Sequence, residues 1–595
     1  MIFKHINMKK LVMNMKLVKT SKLNRILFFI FCFGFSVHCF AQQPPAKEVI
    51  IEKEYEPVIR EFHRIDLLPE FQDTTSINLQ FNYDIKSVAV HGQFVPKPIQ
   101  PVRLTGEPLT PLQNFYALLG VGTNYPSLLG QIRVNSLRND NYQWFVGADQ
   151  SNNFGTLKIK EKNGKENEVY TGFSNTEINA RGKRFFDKST LEGSILYNYK
   201  HGNYYGYAVD PDTLKNNLLD LFKNNNDNPD FQFFSKFKSE FSISSFDTDK
   251  SVTRYNIGLG FNHSDAAKNV LEDNFKVKVY VDKYFNAQFL GLQANLNYIK
   301  NEELIDPINN FVIDVNPWVG LFGKLWRIQA GINTTYGHVT DVPYKEKNRD
   351  SLYIYPNVKL HYNIESYFLV PYVEVSGNYQ INNFERIIDE NFYINPKLSV
   401  RPTNNKLIIS GGMRGQASSR LGFNINGTFR TVENQYFYVI DVTETLGRFF
   451  NVEYGDAKIF TIGGELSWKQ SDQLNIILRG SFTPIYDIKD GSEKKEPWHT
   501  PKSQIDLFAR YKFFNKLTVS TNLFFRGERT VKEQFSDATG ILDPIVDVSL
   551  MGEYQLDKNF GIFLKLNNLL HRLQYIWDNY QLYRFNVMGG VVMMF

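Results

Sequence analysis

The run Asn262-His263-Ser264-Asp265 is the one cluster whose residue types suit nucleophilic chemistry. Such chemistry needs an imidazole within hydrogen-bond reach of a hydroxyl and a third polar group to orient it. This run falls at an expected strand end and continues into an expected loop. Adjacent strand residues point to opposite faces, so the run reads as a solvated loop rather than a lipase-type site. Elsewhere there is no His-Glu-x-x-His, no Gly-x-Ser-x-Gly elbow and no phosphate-binding glycine loop followed by Lys and Ser or Thr. The two cysteines, Cys32 and Cys39, both lie near the N-terminus, which leaves no thiolate metal site or disulfide for the remainder. No catalytic, cofactor-binding or metal-ligating set is expected.

The other candidates are positional. Gly411-Gly412 and Gly463-Gly464 sit inside strand-like runs, where glycine eases bending and close packing. Arg479, Arg510, Lys512 and Arg526 share the polar face of their runs and could tune a pore. Pairing with acids such as Glu465 and Asp506 across a lumen is the preferred reading.

The elements that carry these residues have a period of two. Ile505, Leu507, Ala509, Tyr511 and Phe513 alternate with Asp506, Phe508, Arg510 and Lys512, and the pattern restarts after Phe514-Asn515-Lys516 with Leu517, Val519, Thr521, Leu523 and Phe525. One face is apolar and the other largely polar. Many such runs reach about ten residues, long for a soluble sheet and suited to a tilted membrane strand. Aromatic residues gather near run ends, as in an interfacial girdle: Phe185, Phe186, Tyr284, Phe285, Tyr367, Phe368, Phe513 and Phe514.

Connections alternate between short and long. Short turns are expected at Arg184–Lys188, Lys283–Asn286, Asn363–Ser366, Thr403–Lys406, Gln470–Gln473, Phe514–Lys516 and Leu556–Asn559, where Asn and Asp tolerate left-handed backbone. Weaker ones are expected at Arg138–Asn141, Asp247–Lys250, Phe322–Lys324 and Val432–Asn434. Gly202–Pro229, Thr340–Asp350, Ile488–Thr500 and Gly527–Gly540 read as long loops. The expectation is an all-β fold: a large antiparallel transmembrane β-barrel over residues 115–595, with about 22 strands (range about 20–24).

Composition supports an exported protein. The chain has 595 residues, 42% hydrophobic and 15% aromatic, with a formal net charge of +5. Residues 1–41 hold seven basic residues and no acid, so the remainder carries a net charge of −2. The basicity belongs to that segment and argues against a nucleic-acid partner. A basic stretch, an apolar run Ile26–Val37 and Cys39-Phe40-Ala41 follow the order of a cleaved signal peptide. Residues 42–114 differ again, with an acidic-hydrophobic stretch Lys47–Glu56 and a proline-rich stretch Pro96–Pro101. They read as an extended periplasmic or lumen-filling segment, or alternatively a disordered tail.

The chain ends with Phe585, Val587, Gly589, Val591, Met593 and Phe595 on one face. Val587, Gly589, Val591, Met593 and Phe595 form a candidate C-terminal signal for the barrel assembly machinery. Upstream stand Asn567-Asn568-Leu569, an aromatic loop with Tyr575 and Trp577, and Arg584. This ending resembles that of TonB-dependent receptor barrels over about the last 35 residues, counted to the C-terminal aromatic of a membrane strand. The overall style of the chain is similar to the Bacteroidetes proteins of this group. The resemblance implies an outer-membrane location, contact with outer-membrane lipids, TonB as a candidate partner, and uptake of a nutrient or metal complex. It also implies an energy-coupling segment, for which Val49-Ile50-Ile51-Glu52 is the candidate. The N-terminal segment is too short for a full-length plug domain. A non-transporting barrel subunit of a larger outer-membrane assembly is the alternative, and an outer-membrane lipase-type enzyme a remoter one.

Overall fold

The computed structural model describes residues 113–595, except 124, 138, 161–165, 207–230, 246–252, 286–287, 303–307, 342–348, 365–367, 442–447, 472, 515 and 534–537. The expected signal peptide 1–41, residues 42–112, Val49–Glu52, Tyr367, the turn Asp247–Lys250 and most of Gly202–Pro229 and Thr340–Asp350 lie outside the described residues.

The period-two runs become one antiparallel sheet that closes on itself. Its 23 strands include a three-residue extension, Glu493–Lys495, which leaves a wall of 22. The wall starts at Phe115–Gly122 and ends at Asn586–Met594, and these two strands pair with each other from Tyr116↔Met594 to Gly122↔Met588. Closure removes both free edges, so every strand finds backbone partners on two sides, as a lipid environment demands.

The two faces separate as alternation requires. Leu119, Ile132, Val146, Ile178, Ile195, Phe241, Leu259, Leu292, Ile332 and Leu564 stand outward and are exposed. A continuous apolar belt of this kind is far larger than the apolar patches that soluble monomers tolerate. At the end where the chain enters and leaves, Phe186, Phe285, Phe368 and Phe513 are exposed, and Phe514 reaches 91%. Tyr142, Trp326, Tyr362, Phe560 and Phe595 join them as a girdle. This end carries the short turns. The strands reach up to 22 residues, in Phe450–Ser471, and extend well past the belt at the opposite, long-loop end.

The expected turns need three corrections. Thr403–Lys406 begins the strand Thr403–Ser418, and it does so at the loop end. Val432–Asn434 is a bulge within Leu421–Ile440, where the register shifts between Val432 and Gln435 and Asn434 adopts φ 54. Asparagine serves a bulge for the same reason that it serves a turn, so composition alone could not separate the two. The turn missed is Ser419-Arg420, where the Ser418 hydroxyl accepts the backbone N–H groups of Arg420 and Leu421 at 3.2 Å each. Two of the expected long loops are themselves partly strand. Ile488–Thr500 begins inside Leu474–Asp490, and Gly527–Gly540 contains Arg529–Lys532, which pairs with Thr539–Leu542.

Candidate functional site

The connection between the strands Leu369–Gln380 and Thr403–Ser418 holds the one α-helix among the described residues, Phe384–Glu390. Its apolar positions Phe384, Ile387 and Ile388 follow helical spacing and are buried. The helix does not dock on its own strands. It crosses to the wall formed by Ser189–Asn203, Phe231–Ser245, Arg254–Ala266 and Val270–Phe285, with four strands intervening between the last of these and Leu369–Gln380.

Polar groups on that far wall hold it there. Asn383 precedes the helix without capping it, and the acceptor comes instead from buried Glu272. The Glu272 carboxylate accepts the Phe384 backbone N–H at 2.7 Å and the Asn383 amide at 2.9 Å. A carboxylate here also suits the positive end of the helix dipole. Asp389 pairs with Lys200 at 2.8 Å and Lys236 at 2.9 Å. Burial pushes the Asp389 carboxyl up, but the two lysines outweigh that and hold it below its ordinary value. Glu385 pairs with Lys238 and accepts the Asn262 amide at 3.2 Å. At the helix C-terminal end, Glu390 accepts the hydroxyls of Tyr436 at 2.6 Å and Tyr438 at 2.9 Å. The segment thus spans the mouth of the barrel.

Other loops pack against it. Tyr204, Tyr205, Ile394, Phe449, Phe450 and Tyr580 are buried in one cluster with Phe384, Ile387 and Ile388. Tyrosine hydroxyls bond to carbonyls of distant loops: Tyr204 to Ile394 at 3.2 Å, Tyr205 to Gln581 at 2.9 Å and Tyr583 to Thr171 at 2.7 Å. The rings of Tyr393 and Tyr580 stack at 3.7 Å. Buried His499 sits beside Phe450 and Trp577, and its Nδ1 donates to the Tyr438 carbonyl at 2.8 Å. Burial lowers the imidazole to about 4 and lowers the nearby Arg529 guanidinium to about 10.

Below this closure the wall is polar and its charges are paired between neighbouring strands. Arg479 bonds Glu465 at 2.8 Å, Arg526 bonds Asp506 at 3.0 Å, and Arg133 bonds Asp149 at 2.6 Å. Sequence reading expected pairing of this group of bases with acids such as Glu465 and Asp506 across the lumen; the two pairs formed join adjacent strands instead.

No family model and no curated protein matches the sequence. Solved structures do match in shape. The siderophore receptor PirA from Acinetobacter baumannii superposes with a TM-score of 0.60 at 9% identity, over 82% of this chain and 81% of that one. The ferric-catecholate import receptor Fiu from K12 E. coli gives 0.58 at 10% identity, over 81% and 82%. The copper transporter OprC gives 0.57 at 10% identity, over 81% and 80%. The chain has the fold of a TonB-dependent receptor barrel.

In this barrel the remaining sequence candidates can be placed. His263 and Ser264 lie inside the strand Arg254–Ala266, not in a loop, and face opposite sides. His263 contacts Asp273 at 2.7 Å, while Ser264 is buried toward the lumen. The hydroxyl and imidazole therefore do not meet. Gly412 leaves room for the Tyr372 hydroxyl and Gly463 for the Asn426 amide, which is a packing role.

Val587, Gly589, Val591 and Met593 share the outward face of the closing strand. Phe595 follows them, its carbonyl accepting N–H groups of Asn114 at 2.9 Å and Phe115 at 3.1 Å. Its ring contacts Phe115 and Phe560. The lumen face of this seam is apolar too, with Leu118, Phe563, Val592 and Met594 packed together. Sequence reading missed the helix across the mouth. Its only local signal was Phe384-x-x-Ile387-Ile388, a helical spacing set among period-two runs.

Proposed function

We propose that this chain is an outer-membrane receptor-type barrel that takes up a nutrient or metal complex, with its outer mouth shut by residues 381–402 at rest. The observation that carries this reading is a closed 22-strand wall with a girdled apolar belt outside and a polar, charge-paired lumen inside. A barrel this wide serves as a channel or as a plugged transporter. The solved structures of like fold are an import receptor, a siderophore receptor and a transporter rather than enzymes. On this reading Val49-Ile50-Ile51-Glu52 contacts TonB from the periplasm. The outward row Val587, Gly589, Val591, Met593 and Phe595 is what the barrel assembly machinery reads.

The test is growth on limiting nutrients. Growth should depend on this barrel and on the inner-membrane energy complex, and replacing Val49–Glu52 by alanines should mimic loss of that complex. Growth indifferent to both deletions under every limitation would sink the uptake reading.

The packed loop cluster favours a second reading, a non-transporting subunit of a larger outer-membrane assembly. Stoichiometric partners that co-purify irrespective of any substrate would support it over uptake.

A further inference from the structure

The turn end of the barrel repeats one pairing of residue types. Arg184 and Lys188 flank Phe186, Lys283 precedes Phe285, and Lys324 precedes Leu325 and Trp326. Lys516 follows Phe514, and Lys558 precedes Phe560. In each of these turns both the ring and the cation are exposed. None of the six cations has an ion-pair partner among the described residues, and the Lys283 ammonium lies 5.4 Å from the centre of the Phe285 ring. The described turn residues at this end hold three acids, Asp140, Asp187 and Asp557. The Asp557 carboxylate is already taken up by the N–H groups of Asn559 at 2.7 Å and Phe560 at 2.8 Å. Two of the cations stand on strands and face outward. Arg184 is opposite Tyr142 and Leu191, and Lys283 is opposite Leu290, all three exposed on the lipid side. A charge on the lipid face is costly at mid-membrane and nearly free at the interface, so the headgroup plane runs through these turns.

We propose that this end of the barrel docks anionic phospholipid headgroups of the periplasmic leaflet, one phosphate at each aromatic–basic turn. Short turns of an outer-membrane barrel face the periplasm, so the headgroups beside them belong to that leaflet. The ring anchors at the interface, while the stem of the basic side chain lies along apolar surface and carries its charge to the phosphate. A headgroup with net negative charge, such as phosphatidylglycerol, is favoured over a zwitterionic one, whose own cation offsets the phosphate. An acidic protein partner fits less well. The five turns are spread round the wall, from the hairpin after Phe173–Phe185 to the one before Phe560–Asn567, and Arg184 and Lys283 face lipid rather than the periplasm. A lipid surface reaches every one of them. The proposal needs the outer-membrane location and not the uptake reading.

The full chain is reconstituted in phosphatidylcholine bilayers carrying a trace of spin-labelled phosphatidylglycerol or of spin-labelled phosphatidylcholine. Electron spin resonance then gives the fraction of each held at the protein surface. Phosphatidylglycerol should be preferred about threefold or more at low salt. The preference should vanish near 1 M salt, where charges are screened over about 3 Å. Arg184→Gln, Lys188→Gln, Lys283→Gln, Lys324→Gln, Lys516→Gln and Lys558→Gln made together should remove it, and arginine in place of the five lysines should keep it. Lys158→Gln, Lys300→Gln and Lys495→Gln, at cations already in ion pairs at the loop end, should leave it unchanged. A retained heat-modifiable gel shift shows that each variant is folded. The proposal is refuted if the preference is absent, survives the sixfold glutamine variant, is lost equally in the loop-end variant, or persists at 1 M salt. If a soluble peptide of residues 47–56 abolishes the preference at micromolar concentration, the turn end docks the chain's own acidic segment and the lipid assignment falls.

Discussion

Replacing Glu272 with alanine should unseat the helix Phe384–Glu390 and open the outer mouth. The carboxylate accepts two donors, the Phe384 N–H at 2.7 Å and the Asn383 amide at 2.9 Å, in a buried setting. Each such bond contributes roughly 0.5–1.5 kcal/mol to a neutral carboxyl and roughly 1.5–3 kcal/mol to an ionised one. Alanine also relieves the cost of burying the carboxyl group, but it strands both donors, and breaking one side of a buried polar contact typically dominates that balance. About 3 kcal/mol is a fair net figure, which shifts the closed-to-open ratio by about two powers of ten. Glu272→Gln keeps one acceptor oxygen and should fall between. Planar-bilayer conductance reads the opening directly. An independent reading is labelling of Asn357→Cys in intact cells by a membrane-impermeant thiol reagent, which is clean because both native cysteines lie in the expected leader. If Glu272→Ala is folded yet neither conducts nor labels faster than wild type, the assignment of Glu272 as the holding contact is wrong.

The closure should also respond to acid through His499. Its packed-state pKa of about 4 lies below the ordinary histidine value of about 6.5, so the packed state favours the neutral ring. Its contribution is fully present above about pH 6.5 and is lost as pH falls toward about 4, because only the unpacked loops take up the proton, to a limit of about 3 kcal/mol. The denaturant midpoint of the loop cluster should fall across that window, and His499→Phe should flatten the response. Asn434→Val should lower the denaturant midpoint by the equivalent of about 1–2 kcal/mol, since a β-branched residue resists φ 54, while Asn434→Gly should not. Deleting Phe595 removes its ring and the carbonyl that pairs with Asn114 and Phe115, and the folded, heat-modifiable form should become scarce in membrane fractions.

The wall was legible because its determinants are local. Alternation as in Ile505–Phe513 names the outward face without knowledge of a partner strand, and closure follows from the length and number of such runs. The register errors fell where one residue type serves two purposes. Asn404-Asn405 has the composition of a tight turn. In the structure Asn404 instead accepts the Tyr355 hydroxyl at 2.7 Å and bonds Glu433 at 2.9 Å, at a strand start. The closure was invisible for a different reason. Glu272 caps a helix 112 positions later, and Tyr583 bonds a carbonyl 412 positions earlier. No window of sequence contains both partners of such a contact.

The size of the closing cluster limits how it can open. It buries sixteen apolar residues, from loops and from the loop ends of wall strands such as Phe231–Ser245 and Leu421–Ile440. At roughly 1.5–3 kcal/mol for each buried side chain, separating the whole cluster would cost tens of kcal/mol. That exceeds the roughly 18–21 kcal/mol at which non-covalent affinities saturate, so no ligand could drive it. Opening must therefore be local. The segment Phe384–Glu390 contributes only Phe384, Ile387 and Ile388 to the apolar cluster, or about 6 kcal/mol. Its other anchors are polar: Glu272, the lysines that hold Glu385 and Asp389, and the tyrosines that hold Glu390. Such contacts can be exchanged for water or for a ligand's own polar groups at modest cost. The gate is then the helix segment alone, and the remaining loops form the fixed frame against which it shuts. A disulfide or salt-stable crosslink placed within the frame, between the loops that hold Tyr205 and Gln581, should leave conductance of the Glu272→Ala barrel unchanged. A crosslink from the helix to the wall should abolish it. If the frame crosslink also blocks conductance, the loops move together and the local gate is refuted.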